Sequence, residues 1–150
     1  MTSARIKLDN LDKDILAHLE DDSRLTPTLL SRILNVPRTT IKSRIDRMVE
    51  LGLIKGFEIR KDYAKLGLPT TAFILISFDS SRGVSENEVA KSLSKIRNVE
   101  EVHIISGEYD ILVKIRAKSI EDVGESVVDK MHLIPGVART LTLSSFREIQ

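Results

Sequence analysis

The 150-residue chain contains no cysteine and no tryptophan, and only 4% of its residues are aromatic. Without cysteine there is no disulfide, no thiolate zinc site and no cysteine nucleophile. With so few rings, Ile, Leu and Val must build the core. Long apolar runs are missing too. The longest, Ala72 to Ile76, has five residues, against the roughly 20 that a membrane-crossing helix needs. Residues 1–14 carry charge throughout and lack the apolar centre of a signal peptide, so a cytoplasmic protein with no membrane partner is expected. Histidine is limited to His18, His103 and His132. None sits in a close His/Asp/Glu cluster of metal-ligand type. No Ser/His/Asp motif has recognisable context, and no phosphate-cradling glycine loop is present. The expectation is no enzyme, no metal and no cofactor.

What is present is an ordinary globular composition, 41% hydrophobic and 30% charged, which argues against disorder. The net charge of +1 hides an asymmetry. Between Arg24 and Lys61 stand nine basic residues (Arg24, Arg32, Arg38, Lys42, Arg44, Arg47, Lys55, Arg60, Lys61) and three acidic ones (Asp46, Glu50, Glu58). That surplus of six in one segment leaves the rest of the chain at −5. Such a division points to a polyanionic partner for that segment, with a merely solvated basic face as the alternative.

The basic segment lies in a helical region. Leu8, Leu11, Ile15, Leu16 and Leu19 recur at helical spacing. Asp9 or Asn10 can cap this first helix, and Asp12 and Asp14 suit the positive end of its dipole. Thr26-Pro27 opens a second helix, with Leu29, Leu30, Ile33 and Leu34 as its buried stripe. Asn35-Val36-Pro37 breaks it, because asparagine tolerates the left-handed conformation and proline cannot continue a helix. A third helix runs from about Arg38 to Glu50, with Ile41, Ile45, Met48 and Val49 inward and Gly52 as its stop. Two short helices joined by a tight turn, the second rich in Arg, Lys, Thr and Ser, form the helix-turn-helix pattern. Arg38, Thr39, Thr40, Lys42, Ser43, Arg44 and Arg47 are the candidate DNA contacts, since guanidinium, ammonium and hydroxyl groups bond phosphates and base edges. Leu53 to Arg60 reads as a short β-ribbon, a wing with Gly56 near its tip and Lys55 and Arg60 available to phosphates.

Residues 62–69 contain Gly67 and Pro69 and read as a linker with a helical turn near Tyr63. Beyond it, Thr70–Asp79, Val99–Ser106, Tyr109–Arg116 and Val137–Phe146 read as strands. Ser85-x-x-Glu88 and Ser119-x-x-Asp122 open the intervening helices. The order β-α-β-β-α-β predicts a ferredoxin-like module. Both of its helices lie on one face of the sheet, so the other face invites dimerisation.

Taken together, these motifs resemble the Lrp/AsnC (feast/famine) regulators over essentially the whole chain. Leu8-Asp9, Asp12 and Ile15-Leu16 match the family's opening pattern, and Asp22-Ser23-Arg24 its Asp-x-Arg turn. Arg38 to Ile45 resembles the recognition helix, and Leu51 to Phe57 the segment closing the winged helix. Gly107-Glu108-Tyr109-Asp110 matches a hairpin motif, and Pro135-Gly136-Val137 with Thr140 and Thr142 the last strand. Pro37 stands where a serine cap is usual, and Asn35 where a glycine is usual. The resemblance implies a homodimer, often built into a higher oligomer, that binds double-stranded DNA and takes a small amino acid between its C-terminal modules. Carried over by position, the effector site comprises Gly107, Glu108, Tyr109, Asp110, Thr140, Thr142 and Ser144. An amino acid needs an acceptor for its ammonium, which Asp110 supplies, and donors for its carboxylate. The same residues also suit a plain turn and strand, so both readings stand.

The expected protein is therefore α+β: a winged helix-turn-helix at residues 1–61, a linker at 62–69, and a ferredoxin-like effector-binding and oligomerisation module at 70–150. The expected function is sequence-specific, amino-acid-modulated transcriptional regulation. An architectural, largely non-specific DNA binder without effector response is the alternative.

Overall fold

Asp9 starts the first helix, α1 (Asn10–Asp21), by a reciprocal cap: its carboxylate accepts from the Asp12 amide at 2.9 Å, and the Asp12 carboxylate accepts from the Asp9 amide at 3.2 Å. A computed structural model describes residues 6–149. The chain divides into two units between Lys61 and Asp62, each with its own core.

In the first unit, α1 ends at an Asx turn, where the Asp22 carboxylate accepts from the backbone and side chain of Arg24. The second helix, α2 (Pro27–Leu34), is capped by the Thr26 hydroxyl and ends at Asn35, whose φ of 52° and ψ of 45° are left-handed. The third, α3 (Arg38–Glu50), begins at Pro37 without a side-chain cap. It closes in a Schellman motif: Leu53 N–H donates to Met48 C=O and Gly52 N–H to Val49 C=O, both at 2.9 Å. The φ of +68° at Gly52 explains why glycine stands there. Ile15, Leu19, Leu30, Ile41 and Met48 form the core.

Two expectations need correction. The apolar stripes are narrower than expected, for Leu29, Ile33 and Val49 are exposed. An eight-residue helix resting on two neighbours buries one line of side chains rather than a broad stripe. Nor does the expected β-ribbon form paired strands among the described residues. The amides of Leu53 and Ile54 both donate to Met48 C=O, at 2.9 and 3.1 Å. The helix cap thus takes the donors of the ribbon's first arm. Residues 55–60 are without ladder pairing and exposed, with Ser23 Oγ donating to Glu58 C=O at 3.4 Å.

The second unit opens with turns at residues 63–67, then β1 (Thr70–Phe78), a short 3-10 turn (Ser80–Arg82), α4 (Glu86–Leu93), β2 (Val99–Ile104), β3 (Ile111–Ala117), α5 (Ile120–Ser126) continuing into a π turn (Val127–Met131), and β4 (Val137–Ser145). This is the ferredoxin-like order, an antiparallel sheet arranged β2-β3-β1-β4. Ala72, Ile74 and Ile76 alternate onto the helix-bearing face, where they meet Val89 and Leu93 of α4 and Val123, Val127 and Met131 of α5's side. The register sets Leu75 between Leu112 and Leu141, and Phe73 beside Leu143. These side chains lie on the opposite face, where Leu141 and Leu143 are exposed.

Candidate nucleic-acid interface and effector site

On α3, Arg38, Thr39, Lys42, Ser43 and Arg47 are exposed, and Thr40 is half-buried. Lys42 pairs with Asp46 one turn on, Nζ to Oδ2 2.5 Å. Lys55 is exposed in the segment after α3. Arg44 is different. Its Nη1 donates to Asp9 Oδ2 at 2.6 Å and to Asp12 Oδ1 at 3.0 Å, across to the start of α1. The hydrogen bonds to Asp9, then to Asp12, raise the Arg44 pKa above the ordinary guanidinium value. The amide of Asp12, then Arg44, hold Asp9 below the usual carboxylate range. Of the expected DNA contacts, Arg44 hydrogen-bonds across to the start of α1, and Arg47 Nη1 lies 3.9 Å from Asp12 Oδ2.

The effector candidates fall into two groups. Residues 107–110 form the loop between β2 and β3. Asp110 there is a structural latch: its Oδ2 accepts from Phe78 N–H at 2.7 Å, its N–H donates to Ile76 C=O at 3.0 Å, and its C=O accepts from Ile105 N–H at 2.7 Å. The Asp110 carboxylate, expected to be open to a ligand's ammonium, is thus committed through Oδ2 to a backbone bond at the end of β1. Glu108 Oε1 lies 3.7 Å from Arg139 Nη2, and the Arg139 guanidinium lies 5.6 Å from the centre of the Tyr109 ring. Gly107 is exposed at the loop. Thr140, Thr142 and Ser144 line the helix-bearing side of outer strand β4, opposite Ile76, Ile74 and Ala72. The Thr140 hydroxyl bonds His132 Nε2 at 2.9 Å. Arg139 faces the loop from the open face of the sheet, whereas its neighbour Thr140 points to the helix-bearing face, so the two groups lie on opposite sides of β4.

Residues 71–150 match the Lrp/AsnC ligand binding domain, and residues 8–55 match the winged helix-turn-helix DNA-binding family. The chain belongs to the Lrp/AsnC family. Over 143 residues it is 46% identical to an uncharacterised HTH-type transcriptional regulator of Pyrococcus abyssi, covering 95% of each chain. The structure of Escherichia coli AsnC superposes with a TM-score of 0.84 at 26% identity, over 95% of both chains. Bacillus subtilis LrpC superposes with a TM-score of 0.85 at 26% identity, over 97% of this chain and 99% of LrpC. This Lrp/AsnC chain is thus an HTH-type transcriptional regulator with a ligand-binding domain.

Sequence reasoning missed two features of this regulator. Asp9 is the expected cap and Asp12 the expected first-turn acid, but Asp12 is in addition only 1% exposed and faces α3. A leucine–aspartate pattern this close to a helix start was the available signal. The other is Arg116, 6% exposed, on the face of the sheet away from the helices. It donates to Thr71 Oγ1 at 2.6 Å, to Glu100 at 2.9 Å and to Glu148 at 2.9 and 3.3 Å, and lies 4.2 Å from the Tyr63 ring centre. Burial opposes its charge, yet the bonds to Glu148 and Glu100 outweigh that and raise its pKa. Tyr63 in turn donates to Glu100. Nothing in the linear spacing of residues 63, 71, 100, 116 and 148 announces this cluster.

Proposed function

We propose that this regulator binds specific double-stranded DNA sequences through α3 and responds to a small amino acid bound by its C-terminal unit. The observation that carries the first half is the exposed row Arg38, Thr39, Lys42, Ser43 and Arg47 on a helix held in a helix-turn-helix. Arginine and lysine head groups meet phosphates or guanine edges, and the hydroxyls meet either. Lys55 adds a phosphate contact beyond the helix. The second half rests on the match to the ligand binding domain and on the Glu108–Arg139 pair, which sets opposite charges 3.7 Å apart beside the Tyr109 ring, as the two charged ends of an amino acid require. Gly107, Tyr109, Asp110, Thr142 and Ser144 complete the site in this reading.

The protein acts as a homodimer or higher oligomer. Phe73, Leu75, Leu112, Leu141 and Leu143 form an apolar sheet face whose burial against a second copy would stabilise the pair. Effector binding favours one assembly over another through differential affinity, and the spacing of the DNA-binding units follows. The regulator works in the cytoplasm, without metal or cofactor.

The test is a gel-shift titration of the full chain on the DNA upstream of its own gene and on scrambled duplex, with and without each of the twenty amino acids. A specific shift altered by one amino acid supports both halves and names the effector. A specific shift indifferent to all twenty removes the sensor. Equal affinity for every duplex in a genome-wide panel would leave an architectural binder.

A further inference from the structure

Arg44, Asp9 and Asp12 form a closed circuit between two helices. Asp9 uses Oδ1 on the Asp12 amide at 2.9 Å and Oδ2 on Arg44 at 2.6 Å. Asp12 uses Oδ1 on Arg44 at 3.0 Å and Oδ2 on the Asp9 amide at 3.2 Å, with Arg47 Nη1 3.9 Å from the same Oδ2. Asp12 is 1% exposed. A carboxylate buried that deeply is strongly unfavourable unless paired, so Arg44 is held to it whenever the unit is folded.

The rest of the contact between α1 and α3 is aliphatic: Ile15, Leu19, Ile41 and Met48. Aliphatic packing is non-directional. A helix resting on it alone can roll or slide slightly at small cost. Charge-assisted hydrogen bonds are directional, and a guanidinium presents its donors in a rigid plane. Base-edge contacts tolerate only about 0.5 Å and 10–20° of error. The circuit supplies the directional constraint that the core lacks.

We propose that Arg44 is a positioning residue rather than a DNA contact, and that Asp12 and Asp9, acting through it, set the roll of α3 and hence sequence discrimination. The inference rests on the reading of α3 as the DNA-reading helix. It makes an unusual demand. Asp12 and Asp9 are acidic groups beside a DNA-binding helix, so on charge alone removing either should strengthen DNA binding. If they position α3, removing either weakens specific binding.

The probe is a duplex selected by the wild-type full chain from a random-sequence pool, compared with an unselected random duplex. Binding is measured at several salt concentrations, with circular dichroism to establish that each variant is folded. Asp12→Asn should lose about tenfold in affinity for the selected duplex, the size of one mismatched base contact. It should lose nothing on the random duplex. Asp9→Asn, which keeps an N-cap acceptor at a half-exposed position, should show the same pattern more weakly and serves if Asp12→Asn does not fold. Arg44→Gln should lose specificity while its salt slope stays within about half a unit of wild type. A fall of about 0.9 in that slope, with both affinities reduced, would make Arg44 a phosphate contact and overturn the proposal. So would a rise in both affinities for Asp12→Asn and Asp9→Asn. The double variant Arg38→Ala, Lys42→Ala separates the two levels: if it alters binding to neither duplex, the basic row of α3 is not the reader and both readings fail together. If it weakens binding and the aspartate variants keep wild-type discrimination, only the positioning role fails.

Discussion

The Asp110 carboxylate accepts a hydrogen bond from the Phe78 amide at 2.7 Å, joining the loop after β2 to the end of β1. The two residues are 32 positions apart. Removing the acceptor leaves a partly buried N–H without its partner, which costs about 1–3 kcal/mol. Asp110→Ala should therefore lower the unfolding free energy by about 2 kcal/mol in a urea titration, while Asp110→Asn keeps an acceptor and recovers most of it. The Asn variant then isolates the charge. If it stays stable but loses the amino-acid response in gel shifts, the carboxylate serves the effector. An Ala variant as stable as the parent would show that the latch contributes nothing.

Arg116 binds together residues distant in sequence, and its partners titrate in acid. Burial works against the charged form of Glu100, but its bonds to Tyr63 and Arg116 hold its pKa below the ordinary 4.5. Arg116 likewise holds Glu148 below 4.5. A depressed carboxylate pKa contributes stability above the unfolded value and loses it as pH falls through the folded value. The wild-type melting temperature should thus fall as pH drops from above 4.5 through the depressed pKa values. Arg116→Met should destabilise at neutral pH by about 2 kcal/mol and flatten that acid dependence. Parallel pH profiles for the two proteins would contradict the assignment.

Gly136 stands at φ +93° between the π turn and β4. A β-carbon there would lie 2.8 Å from Val89 Cγ2, 2.9 Å from Val84 Cγ2 and 3.1 Å from Phe78 Cε2. Both the backbone angle and the space exclude a side chain. Gly136→Ala should cost about 2–3 kcal/mol from overpacking and strain. Thermal melting measures it, and an unchanged midpoint would mean that α4 moves aside freely.

The open face of the sheet offers a direct check on assembly. Leu141 is 42% exposed and sits beside Leu75. If the proposed homo-oligomer pairs through this face, Leu141→Lys should leave the far-ultraviolet dichroism of the unit intact and yield a smaller species than wild type in light scattering. A variant that assembles like wild type would move the interface elsewhere.

Local signals carried much of this protein into the open. The cap at Asp9, Pro27 after Thr26, the left-handed Asn35 and the stop at Gly52 are decided within a few residues, because helix ends are settled by short-range hydrogen bonds and allowed φ values. The order of strands and helices in the second unit follows from periodicity, and the basic surplus near α3 from counting. The partners of Arg44, the latch at Asp110 and the cluster around Arg116 were decided by tertiary structure. Each depends on partners brought together by the fold: Arg44 meets Asp12 over 32 positions, and Arg116 meets Thr71 over 45. An arginine on a basic helix reads the same in sequence whether it faces phosphate or a buried aspartate. Only the packing of one helix on another determines which charge it meets.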